Sequence, residues 1–146
     1  MLHATARDLK FLSSVGITHI VNAAHGAHHI DTGAEFYSEL SIKYHGVEAS
    51  DSRDFDITPF LYDAARFIHD ALSQHGVKVL VHCARGVSRS AVLVLAYLMI
   101  HENLPLTDAI KAICNHRNIL PNPGFLQQLI QLESDLNLQD RRDLKQ

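Results

Sequence analysis

The sequence predicts an α/β fold in which helices flank a central, mainly parallel sheet. Short apolar runs alternate along the chain with segments of helical apolar spacing, which is the pattern of strands joined by crossover helices. The run at residues 77–82 is almost continuously apolar, as is typical of a strand buried on both faces of a parallel sheet. With 146 residues, of which 47% are hydrophobic, the chain has the size and composition of a single domain over residues 1–146.

The first part of the chain is predicted to contain one helix and two strands. Residues 4–15 have apolar side chains at helical spacing, and Gly16 is a natural stop for that helix. The β-branched run at 17–22 predicts the first strand. The loosely alternating residues 40–47 predict the second strand, so two strands precede the long apolar run.

The rest of the chain is predicted to be mostly helical around the strand at 77–82. Four helices are expected, over residues 58–74, 89–101, 106–116 and from 122 onward. Thr58 followed by Pro59 is typical of a helix N-terminus, and Asn122 before a proline is similar. Strands that alternate with helices in this way favour a parallel sheet, which binds ligands at the carboxyl ends of its strands.

Composition excludes several functional classes. The net charge is −3, with 13 Lys and Arg against 16 Asp and Glu, which argues against a nucleic-acid partner bound through its phosphates. The longest apolar stretch, residues 91–100, is half of what a membrane span needs, so no membrane is expected. Two cysteines without a signal peptide predict a reducing compartment, the cytoplasm, with the nucleus as a second location.

Residues 83–89, which we call the anion loop, connect the apolar strand to a predicted helix N-terminus. Consecutive backbone N–H groups converge at such a junction, and the helix dipole adds positive potential for an anion. Gly86 permits a tight curl of the chain, and Arg89 can offer a bidentate fork to a phosphate. No acidic residue occurs between positions 71 and 101, which leaves the loop in a locally positive segment.

Cys83 stands at the start of the anion loop. The loop N–H groups would stabilise its thiolate, so we expect its pKa to lie below the value of about 8.5 of a free cysteine. A buried cysteine is otherwise most often a small core residue. A strand-end Cys followed by Gly86 and Arg89 at the opening of a helix is a specific arrangement, and it favours a nucleophile over a core residue.

The protein tyrosine phosphatase superfamily has a signature loop that this chain resembles in His82-Cys83-x-x-Gly86-x-x-Arg89-Ser90. Further segments resemble the small atypical dual-specificity phosphatases of that superfamily, namely residues 16–24, 96–99 and 117–126. Residues 31–37 and 46–49 are most similar to the muscle/testis type. The resemblance covers nearly the whole chain and implies a protein tyrosine phosphatase-like fold. Such relatives usually carry a strand before the first helix, so the chain is expected to lack part of their N-terminus.

The resemblance also implies a two-step hydrolysis that needs no metal and no cofactor. The Cys83 thiolate attacks phosphorus and forms a cysteinyl-phosphate, while Arg89 and loop N–H groups hold the phosphoryl oxygens. Ser90 lies where the family places a hydroxyl that helps the thiolate leave, and His82 where a histidine braces the loop and lowers the pKa of the cysteine. The implied phosphate-binding residues are Ala84, Arg85, Gly86, Val87, Ser88 and Arg89.

The family mechanism also needs a general acid from elsewhere in the chain. Asp51, Asp54 and Asp56 lie in one predicted loop, and chemistry alone does not choose between them. The alternative for each is a solvated acidic residue, with Asp56 helping the start of the next helix. The resemblance favours Asp51, with Asp54 next.

A phosphorylated protein is the substrate that the resemblance implies. Tyrosine-only phosphatases are longer and have a deeper pocket, so a shallow pocket that also accepts phosphoserine and phosphothreonine is expected. Two alternatives stay open: a phosphatase for a phosphoinositide or an RNA 5′-phosphate, and a scaffold without turnover. Arg85 is either solvated or in contact with a second phosphate or an acidic side chain. The sequence carries no signal for an oligomeric state.

Three further features have plain interpretations. Cys114 is expected to pack in the core, with a resolving partner for oxidised Cys83 as the alternative. Tyr37 is a weak candidate for the rim of the pocket. The histidines around position 28 have no second cluster at metal-ligand spacing, so no metal site is predicted.

Overall fold

The computed structural model of the protein describes residues 8–26, 33–84 and 88–144. It confirms the predicted class, because a three-stranded parallel sheet is flanked by helices. The strands are β1 (His19–Asn22), β2 (Lys43–Gly46) and β3 (Val79–His82). The helices are α1 (Leu9–Val15), the short α2 (Gly33–Phe36), α3 (Thr58–Leu72), α4 (Arg89–His101), α5 (Leu106–Cys114) and α6 (Pro123–Leu144), with a 3-10 turn at Ser38–Leu40.

The sheet brings the carboxyl ends of its strands to one edge. The strand order is β2-β1-β3, and both pairings are parallel. The register places Asn22 of β1 beside Gly46 of β2 and beside His82 of β3. The segments that follow these three residues therefore start at one place, which is where parallel sheets bind ligands.

One prediction about the sheet is wrong in its detail. The strand expected to be buried on both faces was 77–82, yet Val79 and Val81 of β3 are only half-buried. The strand buried along its whole length is β1, from His19 to Asn22. The reason is position: β1 lies between two strands, while β3 forms one side of the described sheet.

Element boundaries differ from the predictions by a few residues. The second strand was expected from residue 40, but a 3-10 turn precedes it, and Ser41 has a positive φ of 55°. The helix expected at 58 begins there, although Ile57, not Thr58, is its N-cap. The helix predicted over 4–15 begins only at Leu9, because Asp8 is its N-cap and accepts a hydrogen bond from Phe11 N, and Gly16 ends it in the left-handed conformation with φ 79°.

Two apolar clusters make up the core in the described part of the chain. The larger cluster joins the sheet to α3, α4 and α6 through fully buried side chains such as Leu61, Leu93 and Phe125. The smaller cluster contains Tyr37, which is fully buried and stacks on Tyr44 with ring centroids 5.8 Å apart. Tyr37 is therefore a core residue and not a rim residue, because its ring fills the space beside β2.

Helix α4 is the central helix of the fold, and its burial fixes the site that precedes it. Nine of its 13 residues are buried, including its first two, Arg89 and Ser90. A helix with this much buried surface has a fixed N-terminus, which holds the end of the anion loop in place. Among the described residues, no helix has both the length and the apolar character that crossing a membrane requires.

Candidate active site

Cys83 directly follows the last residue of β3, and α4 begins at Arg89, so the predicted strand–loop–helix junction is present. Cys83 is 2% exposed and lies at the carboxyl edge of the sheet. The predicted phosphate-binding residues at 85–87 lie outside the described residues. The expected contacts of Arg85 are therefore not tested by the structure. Within the anion loop, Ala84 next to Cys83 is half-buried and Ser88 next to Arg89 is buried.

The side chain of Ser90 contacts the thiol. Cys83 Sγ and Ser90 Oγ are 3.3 Å apart, and both residues are buried. The thiol donates in this geometry, and the hydroxyl would donate to a thiolate once the proton has left. Ser90 is thus placed to stabilise negative charge on the Cys83 sulfur.

Arg89 is buried although it carries a permanent charge. The residue is 8% exposed, and Nη1 donates a hydrogen bond of 2.9 Å to the carbonyl oxygen of Ala49. Among the described residues Nε is buried without a hydrogen-bond partner. An unpaired buried N–H of a cation is costly, so this guanidinium has a donor to offer to an anion.

His82 ends β3 and directly precedes the cysteine. Its side chain is fully buried, and its carbonyl oxygen accepts a hydrogen bond of 2.8 Å from Ala23 N. The neighbouring strand ends on Asn22, whose amide donates to Tyr44 Oη and whose Oδ1 accepts from Ala24 N. The carboxyl ends of the strands that lead into the site are therefore hydrogen-bonded to each other next to the anion loop.

The three candidate acids have different surroundings. Asp56 Oδ1 accepts from Thr58 N at 3.1 Å, so this carboxylate caps the start of α3 as expected. Asp54 is exposed, and its backbone N–H donates to Ser52 Oγ. Asp51 is also exposed, and its Oδ1 accepts a hydrogen bond of 3.0 Å from the side chain of Asn122. This bond ties the Asp51 carboxylate to the segment that leads into α6.

Sequence reasoning missed two residues that connect the site. Asn122 was identified only as the start of a helix, yet its backbone N–H also donates to Ser88 Oγ at 3.0 Å. Gln128 Oε1 accepts from Ile57 N at 2.8 Å, and its Nε2 donates to Phe55 O at 2.9 Å. These two partners of Gln128 are 71 and 73 residues away in the chain, so no local pattern could have indicated them.

The expectation for Cys114 is wrong. Its thiol is exposed at the end of α5, while the buried residues of that helix are Leu106 and Ala109. Position 114 does not lie on the apolar face of α5, so the residue does not pack in the core. The histidine cluster near position 28 lies outside the described residues, and no group of three or more His, Cys, Asp or Glu side chains within residues 8–26, 33–84 and 88–144 is placed to hold a metal ion.

The described groups have complementary chemistry. Cys83 is a buried thiol that a hydroxyl contacts, and Arg89 is a buried cation at the other end of the anion loop. Asp51 adds a carboxylic acid that is open to solvent, in the segment to which Arg89 is bonded. A nucleophile, an anion-binding cation and a proton donor are the groups that hydrolysis of a phosphate monoester requires.

Comparison with known proteins agrees with this chemistry. The family described as "Dual specificity phosphatase, catalytic domain" matches residues 2–135, a range that includes Asp51, Cys83 and Arg89. The human protein named dual specificity protein phosphatase 13B is 52% identical over 137 residues, which cover 94% of this chain and 69% of that protein. The similarity therefore extends over nearly the whole chain and is not confined to the anion loop.

Solved structures have the same fold. The crystal structure of a variant of human DUSP28 is 28% identical, with a TM-score of 0.82 over 95% of this chain and 90% of that chain. The human tyrosine phosphatase-like serine/threonine/tyrosine-interacting protein is 31% identical, with a TM-score of 0.78 over 92% of this chain and 89% of that chain. The chain belongs to the family of dual specificity phosphatase catalytic domains.

Proposed function

We propose that Cys83, Arg89 and Asp51 form the catalytic centre of this enzyme. As a member of its family, the chain is a dual-specificity protein phosphatase that hydrolyses phosphotyrosine and phosphoserine or phosphothreonine through a cysteinyl-phosphate. The observation that carries the assignment is the burial of Cys83 and Arg89 at the two ends of one loop, at the carboxyl edge of the sheet.

In the first step the Cys83 thiolate attacks the phosphorus atom of the substrate. A lone pair of the sulfur forms the S–P bond, and the P–O bond to the substrate breaks with its electron pair on the leaving oxygen. Asp51 supplies the proton that this oxygen takes up. The products of the step are the dephosphorylated side chain and phosphorylated Cys83.

The anion loop stabilises the phosphoryl group during this transfer. We assign the backbone N–H groups of residues 84–89 as the phosphate-binding P-loop, which includes Arg85, Gly86 and Val87 at its centre. Arg89 supports this assignment because Nη1 is held by Ala49 while Nε is buried and has no described partner. Donors that are fixed before the reaction stabilise the developing charge without reorganisation.

In the second step water hydrolyses the cysteinyl-phosphate. The water oxygen forms a bond to phosphorus while Asp51, now ionised, takes a proton from that water, and the S–P bond breaks with its electron pair on sulfur, which releases inorganic phosphate. Ser90 is 3.3 Å from that sulfur and donates its hydroxyl proton in a hydrogen bond to the leaving thiolate. His82, fully buried at the end of β3, is assigned to brace the start of the anion loop.

The substrate is a phosphorylated protein. Asp51 is exposed, so the proposed acid lies where a side chain on a protein surface can reach it. The chemistry uses no metal and no cofactor in this proposal. A thiolate nucleophile is lost on oxidation, so we also propose a reducing location, the cytoplasm with the nucleus as a second compartment.

The experiment compares two cysteine variants of the chain. Hydrolysis of an aryl phosphate and of phosphotyrosine and phosphothreonine peptides is measured in the presence of EDTA, and a phosphoinositide is assayed separately with the wild type. Cys83→Ser should abolish turnover of all three substrates, whereas Cys114→Ser, at an exposed thiol, should leave it unchanged. Full activity of Cys83→Ser would refute the mechanism. Turnover of a phosphoinositide in preference to both peptides would instead refute the assignment of a protein substrate.

A further inference from the structure

Asn122 lies between the two loops of the site and contacts both. Its backbone N–H donates to Ser88 Oγ at 3.0 Å, at the end of the anion loop. Its side-chain Nδ2 donates to Asp51 Oδ1, also at 3.0 Å. Its Oδ1 accepts from Phe125 N at 2.9 Å and so caps the start of α6. One residue therefore connects the anion loop, the proposed acid and a helix terminus.

The contacts of Asn122 allow only one orientation of its side-chain amide. Oδ1 faces a backbone N–H donor on Phe125, and Nδ2 faces a carboxylate oxygen of Asp51. The reversed amide would place two donors together at Phe125 and two acceptors together at Asp51. The cap therefore determines the direction in which the amide donates to the acid.

The partners of Asn122 differ in burial. Ser88 is buried and Phe125 is fully buried, whereas Asp51 is exposed. The buried partners hold Asn122 in place, and the exposed carboxylate is the partner that has the most freedom to move. The hydrogen bond from Asn122 thus restricts the position of the exposed Asp51 side chain.

The rest of the segment at 51–57, which we call the acid loop, is held by the same helix. A Cβ atom added at Gly124 would overlap the carbonyl oxygen of Arg53, so the loop backbone packs directly on α6. Gln128 binds both the N–H of Ile57 and the carbonyl oxygen of Phe55. The N-terminal end of α6 therefore contacts the acid loop at its beginning, middle and end.

We propose that Asn122 is a positioning residue that orients the general acid of the phosphatase. The inference rests on the proposed function, in which Asp51 donates the proton to the leaving oxygen. Because the amide N–H occupies Oδ1, the acidic proton is carried on Oδ2 of Asp51. When the S–P bond forms and the P–O bond breaks, this proton moves from Oδ2 to the leaving oxygen.

The test compares substrates with poor and good leaving groups, because a poor leaving group depends on protonation by a general acid and a good one does not. Asn122→Ser keeps a side chain that caps helices but is too short to reach Asp51. The value of kcat/KM, which reports the steps up to release of the phenol, is measured for aryl phosphates from an acidic nitrophenol to unsubstituted phenol. Asn118→Ala, at an exposed position in the same connection, is the matched control.

For Asn122→Ser we expect kcat/KM to fall by about 10-fold to 10²-fold with the unsubstituted phenol and to change little with the most acidic phenol. Asp51→Ala should show the same dependence, with a loss of about 10²–10⁴-fold for the poor leaving group. In the Asp51→Ala background, Asn122→Ser should cause no further loss. Circular dichroism melting should place Asn122→Ser near the wild type, which separates positioning from folding.

The inference is overturned by any of three results: an equal loss with all phenols, a loss that adds to that of Asp51→Ala, or no loss with unsubstituted phenol. Full activity of Asp51→Ala with the poor leaving group would overturn the acid assignment and the inference together. Activity of Cys83→Ser would overturn the proposed function itself, so the two failures are distinguishable.

Discussion

Arg89 donates from Nη1 to the carbonyl oxygen of Ala49 at 2.9 Å, and this bond joins the first turn of α4 to the segment that leads into Asp51. Arg89 is 8% exposed, so its side chain is held by its surroundings before any substrate arrives. Its bond to Ala49 fixes the plane of the fork, and with it the direction in which Nε points. An arginine that is oriented in this way is prepared for an anion at the anion loop.

The planar guanidinium of Arg89 predicts the effect of replacing this residue with lysine. Lysine keeps the charge but is a point donor, so Arg89→Lys cannot bond Ala49 and a phosphoryl group with one planar group. We expect kcat to fall by about 10²–10³-fold with an aryl phosphate, together with weaker inhibition by inorganic phosphate. Arg66→Lys, at an exposed position on α3, is the control and should behave as the wild type. An Arg89→Lys enzyme with wild-type kcat would contradict this role.

Ser90 is predicted to act in the second step and not in the first. Its Oγ is 3.3 Å from Cys83 Sγ, where a hydroxyl stabilises the departing thiolate. Ser90→Ala should therefore lower kcat, leave kcat/KM close to the wild type, and produce a burst of phenol in stopped-flow measurements. Steady turnover without a burst, at reduced kcat/KM, would show instead that Ser90 assists the attack.

Gly124 is predicted to be required for the packing of the acid loop. Alanine has the better helix propensity by roughly 1 kcal/mol, but its Cβ would overlap the carbonyl oxygen of Arg53. Overpacking of this kind costs about 1–3 kcal/mol, so Gly124→Ala should have a lower free energy of unfolding in urea. The variant should also lose more kcat/KM with an aryl phosphate that has a poor leaving group than with one that has a good leaving group, because the displaced acid loop carries Asp51. An unchanged unfolding curve would mean that the loop does not pack on this helix.

A histidine outside the site, His101, predicts how the free energy of unfolding depends on pH. Burial, and then the neighbouring His69, lower the pKa of His101 below its ordinary value of about 6.5, against the opposing charges of Asp70 and Glu102. The rings of His69 and His101 stack with centroids 4.2 Å apart. Because the folded pKa is the lower one, the unfolded chain binds more protons as the pH falls below about 6.5, and stability is lost in that direction.

The substitution His101→Phe tests this dependence. Phenylalanine keeps the stacked ring and removes the titrating group, so the loss of unfolding free energy between about pH 7.5 and pH 5.5 should be smaller than in the wild type. Urea unfolding followed by circular dichroism measures both proteins at the two pH values. An equal or larger loss in His101→Phe would assign the pH dependence to other groups.

The chemistry that could be predicted from the sequence is the part that is local in the chain. Cys83, Gly86 and Arg89 lie within seven residues at one strand–helix junction, so their spacing alone indicates an anion site with a nucleophile, while the role of Ser90 came from the family resemblance. The predicted class of fold followed from the alternation of apolar runs, and it is confirmed. Of these predictions, the arrangement of Arg85, Gly86 and Val87 lies outside the described residues.

The features that could not be predicted depend on long-range packing. The bond between Asn122 and Asp51 joins residues 71 positions apart, and nothing near either residue signals it. Apolar character alone could not distinguish the central strand β1 from β3 at the side of the described sheet. Tyr37 and Cys114 were misplaced for a similar reason, since burial of an aromatic ring or a thiol depends on which elements pack against it.

The central claim is that the phosphoryl group is transferred to Cys83, and trapping of the intermediate tests it most directly. Ser90→Ala enzyme is mixed with an aryl phosphate, quenched in acid within the burst, digested and analysed by mass spectrometry. We expect one phosphoryl group on the peptide that contains Cys83, in an amount that matches the phenol burst, and none on the peptide that contains Cys114. A burst without phosphate on Cys83, or with phosphate on another residue, would contradict it.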